Sequence, residues 1–224
     1  MRSIPDLARR AATAFGLALV AALFVPAAPA QGLQEGKQYQ RLAQPVPVES
    51  GKKIEVLEFF SYGCPHCADL DPELQAWSKK LPADVEFKRI PIDFGREQWA
   101  NLAKIYYTFE AMGVEARMTP EAFSALHGRQ GSAVRLDQEK VFFEWAAAKG
   151  LDRKKVEETY GSFGVSSKAN RARQIAKAYN VQSVPMVVVD GKFATSPDKA
   201  GGHAATPVAV DQLIAKARSE RPKT

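Results

Sequence analysis

The chain has 224 residues, with 31 Lys and Arg against 25 Asp and Glu, a modest excess of +6. The basic residues are mixed with acids, as over 149–158, and form no stripe with interleaved aromatics, which argues against nucleic-acid binding. Two cysteines and three histidines make up the whole complement of soft ligands, and none is paired at zinc-finger spacing.

The first 30 residues carry Arg2, Arg9 and Arg10, an apolar run over 11–25, and Ala28-Pro29-Ala30. This pattern predicts a cleaved secretory signal, because the run is short for a bilayer span of about 20 residues. No later stretch is long and apolar enough to cross a membrane. The mature protein is therefore expected to be soluble, in an oxidising compartment where a cysteine pair can work as an oxidant. The rest of the chain is long enough for one large domain, or for a core domain carrying an insertion.

Residues 31–51 are polar, contain Pro45 and Pro47, and suggest a surface segment with a short edge strand near 39–42. Residues 54–60, Ile-Glu-Val-Leu-Glu-Phe-Phe, predict a central strand buried on both faces. Glu58 interrupts that run. Either it points to an edge or is paired structurally, or it lies beneath the cysteines, where it would accept the Cys67 proton or tune the pair electrostatically. The strand leads through Ser61-Tyr62-Gly63 into Cys64-Pro65-His66-Cys67, and Leu70, Leu74, Trp77 and Leu81 then recur at helical spacing. Pro65 just inside a helix start places Cys64 at the N-terminus, where unpaired N–H groups and the positive end of the dipole favour a thiolate. A protonated His66 adds a cation, so Cys64 is expected to be acidic and Cys67, one turn further in, to be more buried and less reactive. Pro72 predicts a kink in this helix.

Three other uses of the pair fare worse than redox catalysis. A zinc site needs about four ligands, so no metal is expected. A c-type haem site needs His directly after the second cysteine, where Ala68 stands. A purely structural disulfide closing so short a loop removes little unfolded-state entropy.

Residues 85–92 predict a second strand, with Arg89 a candidate neighbour for Glu58. Helices are expected over 97–112, 119–126, 138–149, 152–160 and 166–179, separated by glycine-rich breaks, with recurrent aromatics forming their core. His127 is expected to end a helix rather than to ligate. Residues 181–189 predict a buried strand whose Pro185 must sit at its entry, at an edge or in a special turn. Asp190-Gly191 turns it into a hairpin with 192–195. The 196–206 stretch, including His203, is expected to be a solvated loop, and 207–218 a closing amphipathic helix.

A strand, Cys-x-x-Cys at a helix start, a second strand, a helical excursion, then Val184-Pro185 and a hairpin: this order resembles the DsbA family of periplasmic thiol:disulfide oxidoreductases. The resemblance rests on Gly36-Lys37-Gln38-Tyr39, Glu58-Phe59-Phe60-Ser61, Cys64-Pro65-His66-Cys67, Val184-Pro185 and Asp190-Gly191-Lys192. It implies an α/β thioredoxin-like fold in two parts, 31–95 and 181–224, around a helical insertion at 96–180. It also implies that Cys64 is the nucleophile and Cys67 the resolving thiol, and that Pro185 is cis and faces the disulfide. Val184 would offer its backbone to an extended substrate, and Glu58 would be the buried acid. No cofactor beyond the disulfide is implied. Its implied partners are reduced exported polypeptides and, for reoxidation, a quinone-linked inner-membrane protein of the DsbB type. Two alternatives stay open. One is a disulfide isomerase or reductase; those that resemble the periplasmic isomerases carry an N-terminal dimerisation domain, whereas only some twenty residues separate Gln31 from Ile54, so a monomer is expected. The other is an exported chaperone-like binding module with a structural disulfide.

Overall fold

The computed structural model of the chain describes residues 32–128 and 133–221; the expected signal segment lies outside the described residues. At its centre is β2 (Ile54–Phe60), where all seven residues are buried. Burying its Val, Leu, Ile and Phe side chains stabilises the fold by about 1.5–3 kcal/mol each. β3 (Val85–Pro91) pairs with it in parallel, and β4 (Met186–Val189) pairs with it antiparallel on the other side. β5 (Phe193–Thr195) and the short β1 (Gln40–Arg41) complete a five-stranded sheet in the order β1-β5-β4-β2-β3.

The two faces of β2 feed two apolar cores, as strand alternation requires. Ile54 and Val56 join Leu70, Leu74 and Trp77 of α1 (Pro65–Ser78) and Val210 and Leu213 of α8 (Thr206–Glu220). Leu57 and Phe59 face the larger core, built with the helices α2 (Glu97–Ala111), α3 (Glu115–His127), α4 (Glu139–Ala148), α5 (Arg153–Tyr160) and α6 (Phe163–Ala178). These five lie in sequence between β3 and β4, where the helical excursion was expected, and α2 packs on α3, α5 and α6. Most of the recurrent aromatics are core: Tyr106, Tyr107, Phe109, Phe123 and Phe142 are buried.

The differences from expectation have local causes. The strand foreseen over 181–189 begins only at Met186, because Pro185 has no N–H to give to a ladder; the Val184–Pro185 peptide is cis. α3 starts at Glu115 and not at 119, and Pro120 lies inside it; burial of Met118, Ala122 and Phe123 outweighs the bond the proline removes. α6 starts at Phe163, with the Ser162 side chain accepting from the Val165 N–H. The stretch read as a solvated loop contains a short helix, α7 (Pro197–Ala200), capped by Ser196 and ended by Gly201 at φ 96°. α1 runs through Pro72 as one helix. The Asp190-Gly191 turn is as expected, with φ of 55° and 62° and the Lys192 N–H donating to the Val189 carbonyl.

Candidate active site

β2 ends and α1 begins within four residues, and that joint makes the site. The Ser61 hydroxyl accepts from the Gly63 N–H at 3.1 Å and its carbonyl from the Cys64 N–H at 3.0 Å, which fixes the turn. Gly63 is required there: a Cβ would lie 2.6 Å from Nε1 of Trp99. Trp99 packs in turn on Phe94, which is 39 % exposed, so an apolar patch flanks the cysteine turn. Behind the turn, Tyr62 is buried with its hydroxyl 2.9 Å from Oγ1 of Thr119, and Nε2 of His127 lies 2.7 Å from the Tyr62 carbonyl. His127 thus ends α3, as expected, and holds the turn.

Cys64 occupies the N-cap of α1 with extended dihedrals, Pro65 takes the first helical position, and no side-chain oxygen caps the helix. The sulfur therefore meets the free end of the helix. Its pKa is lowered from an ordinary 9.0 to about 6. The largest cause is the Cys67 thiol, which donates to it; the N–H groups of Cys67 and His66 add to this, the charge of His66 contributes least, and burial opposes. The helix end foreseen in the sequence is thus present, but the partner cysteine does more. Cys67 is fully buried, and burial, with the negative Cys64 and Glu58 nearby, pushes its thiol far above the ordinary range.

Over Cys64 sits the segment 120 residues further on: Sγ lies 3.5 Å from the Val184 carbonyl, with Pro185 behind it. A groove of about 510 Å³ runs beside this segment, lined by Leu42, Ser183, Met186 and Thr195 among others.

Beneath the pair, Glu58 stands directly opposite Arg89 in the β2–β3 register. Nε of Arg89 is 2.8 Å from Glu58 Oε2, and its Nη2 is 2.8 Å from Asp71 Oδ1. All three side chains are at least nine-tenths buried, and both contacts lie off the N–H axes, so they are close ion contacts rather than aligned hydrogen bonds. Burial raises the Glu58 pKa to about 6 against the pull of Arg89. Glu58 is thus ion-paired, and its charge also contributes to the raised Cys67 thiol. Asp71 escaped the sequence reading, although it breaks the apolar stripe of Cys67, Leu70 and Leu74 on α1 as visibly as Glu58 breaks β2. His203 lies in a turn between helices, as expected, but is only partly exposed: its Nε2 is shielded from water, and its ring stacks 6.3 Å from that of His66.

One thiol that ionises readily, next to one that does not, is the asymmetry of a dithiol–disulfide exchanger, and its frame is the thioredoxin fold with helices inserted. The chain belongs to the family described as the DSBA-like thioredoxin domain, whose model matches residues 55–202. It is 40% identical over 204 residues to the thiol:disulfide interchange protein DsbA of Pseudomonas aeruginosa, covering 91% of this chain and 95% of that one. The Bordetella parapertussis DsbA is 40% identical over 197 residues, 88% and 90% of the two chains. Among solved structures, P. aeruginosa DsbA superposes with a TM-score of 0.76 at 40% identity, over 82% of this chain and 94% of that one. NmDsbA1 of Neisseria meningitidis gives 0.74 at 27% identity, over 84% and 95%.

Proposed function

We propose that this member of the family is an oxidant of exported proteins: it donates the Cys64–Cys67 disulfide to reduced polypeptides. The observation that carries this reading is the low pKa of Cys64 beside a raised Cys67. A substrate thiolate attacks Sγ of Cys64, the Cys64–Cys67 bond breaks, and Cys67 leaves with the electron pair and takes up a proton, because its anion is not tolerated where it is buried. A second substrate thiolate then attacks the substrate sulfur of the mixed disulfide, and Cys64 leaves as a thiolate held by the helix end, by the Cys67 thiol and by His66. The substrate gains one disulfide and the protein gains two electrons and a proton. Stabilising the departing anion favours the protein's dithiol, which makes its disulfide oxidising.

The remaining roles follow the same logic. Pro65 sets the first helical turn, Glu58 tunes Cys67 through its charge, and Val184 and Pro185 form the rim along which an extended segment docks, beside the groove and the Phe94–Trp99 patch. The disulfide is the only redox group, with no added cofactor. Reoxidation is assigned to a quinone-linked inner-membrane protein of the DsbB type, the compartment to the periplasm, and the working state to a monomer, residues 1–30 being removed on export. Among the described residues no helix is long and apolar enough to cross a membrane. The division into 31–95, 96–180 and 181–224 is kept, the middle part being a helical cap over one face of the sheet.

Equilibration with glutathione buffers tests the direction of electron flow. A potential well above that of glutathione is expected; one at or below it would make the protein a reductase instead.

A further inference from the structure

The fold brings together three side chains that the sequence keeps far apart. His66 and Asp69 lie one turn apart on the exposed side of α1, and His203 comes from the connection between α7 and α8. One ligand atom from each, two imidazole nitrogens and a carboxylate oxygen, lies within 4.8 Å of the others. The rings of His66 and His203 are nearly parallel, at 20°. Nε2 of His203 is shielded from water and has no hydrogen-bond partner among the described residues, so this imidazole is not satisfied by its surroundings.

We propose that His66, Asp69 and His203 form a site for one divalent transition-metal ion of the zinc class. The donor set is the two-imidazole, one-carboxylate type that such ions take while keeping a position open for water. Tetrahedral zinc with bonds of about 2.0–2.1 Å wants its donors about 3.3 Å apart. Closing the present spacing to that calls for rotation of His66 and Asp69, both exposed. His203 is the fixed member. Its segment is held by the Gly201 and Gly202 N–H groups donating to the Pro197 carbonyl and by the Thr206 hydroxyl donating to the Gly202 carbonyl at 2.9 Å. The ion would tie the first turn of α1 to this connection and occupy the imidazole of the Cys-Pro-His-Cys motif. Finger spacing in the sequence could not reveal such a site, since its ligands are contributed by two elements at opposite ends of the chain.

The test uses the signal-free protein in its disulfide form, which removes the thiols as competing ligands. Zn²⁺ is titrated by calorimetry while the imidazole resonances are followed by NMR. With three histidines in the chain, the spectra report each one. One ion per chain is expected, with the His66 and His203 signals shifting and His127 unmoved. Asp69→Asn and His203→Ala should each weaken binding by more than about tenfold, because loss of even an outer-shell partner costs that much. Their metal-free unfolding midpoints report whether each variant is folded, and if either fails to fold, the resonances of the parent protein decide. Absence of binding, shifts centred on His127, or undiminished affinity in both folded variants would overturn the site.

Discussion

The depressed pKa of Cys64 fixes how the stability of the reduced protein must vary with pH. A thiol that ionises near 6 in the folded chain and near 9.0 when unfolded stabilises the folded state fully only above the unfolded value. That gain is lost as the pH falls through 6. Linkage gives about 1.4 kcal/mol at pH 7, about 2.7 kcal/mol at pH 8 and almost nothing at pH 5. Cys64 keeps 7 % of its surface exposed, so some screening remains and the gain at pH 8 is between about 1.5 and 2.7 kcal/mol. The oxidised protein lacks this contribution, because neither sulfur can ionise. Glu58, with its pKa raised to about 6, makes both forms less stable as the pH rises through its own range, and so cancels in the difference. Above about 9 the raised Cys67 works the other way, since only the unfolded chain then loses that proton. Urea unfolding of both redox forms at pH 5 and pH 8 is the assay. The stability of the reduced form relative to the oxidised form should rise by about 1.5–2.7 kcal/mol between the two. An unchanged difference would refute the electrostatic account, as would a Cys64 alkylation rate that titrates near 9.

Arg89→Met leaves Glu58 and Asp71 buried without their shared cation, and should cost about 3–5 kcal/mol at neutral pH in denaturant unfolding. The deficit should shrink as the pH falls through about 6, where Glu58 takes up a proton, and further as Asp71, also raised by burial, does the same; a deficit that does not vary with pH would contradict the shared-cation arrangement. Gly63→Ala drives a methyl into the Trp99 indole and should cost about 1–3 kcal/mol, a penalty that Trp99→Ala relieves in the double variant. Thr119→Val removes the buried partner of the Tyr62 hydroxyl, and should lower stability by about 1 kcal/mol in thermal or urea unfolding. Cys67→Ser, which cannot hold the internal disulfide, should stop disulfide transfer; given oxidised glutathione, its Cys64 thiolate should attack that disulfide, release one glutathione thiolate and retain the other as a mixed disulfide, visible by mass.

What the sequence made plain was whatever is encoded by neighbours along the chain. The seven residues of β2, Pro65 at a helix start and the Asp190-Gly191 turn are local patterns, and their elements fall where those patterns end. Arg89 was identifiable as a partner for Glu58 because two parallel strands must face each other somewhere, and the register sets them opposite. Asp71 and His203 were not recovered, because their roles depend on which distant groups the fold places against them. The start of α3 was missed for a related reason: Pro120 lies inside the helix, and only the burial of Met118 and Phe123 in the assembled core shows that it extends back to Glu115. The cap of Cys64 was legible, whereas the donation from Cys67 was not, since it depends on how two side chains turn within a single helical turn.

The roof over Cys64 comes from Val184, 120 positions downstream. During synthesis, both sulfurs therefore emerge well before the backbone that will cover them, and closing so long a loop is among the slower events of folding. A nascent chain truncated ahead of β4 would carry the whole Cys-Pro-His-Cys motif yet lack one wall of its site. Full reactivity thus belongs to the finished polypeptide, so the motif alone is no measure of a competent molecule.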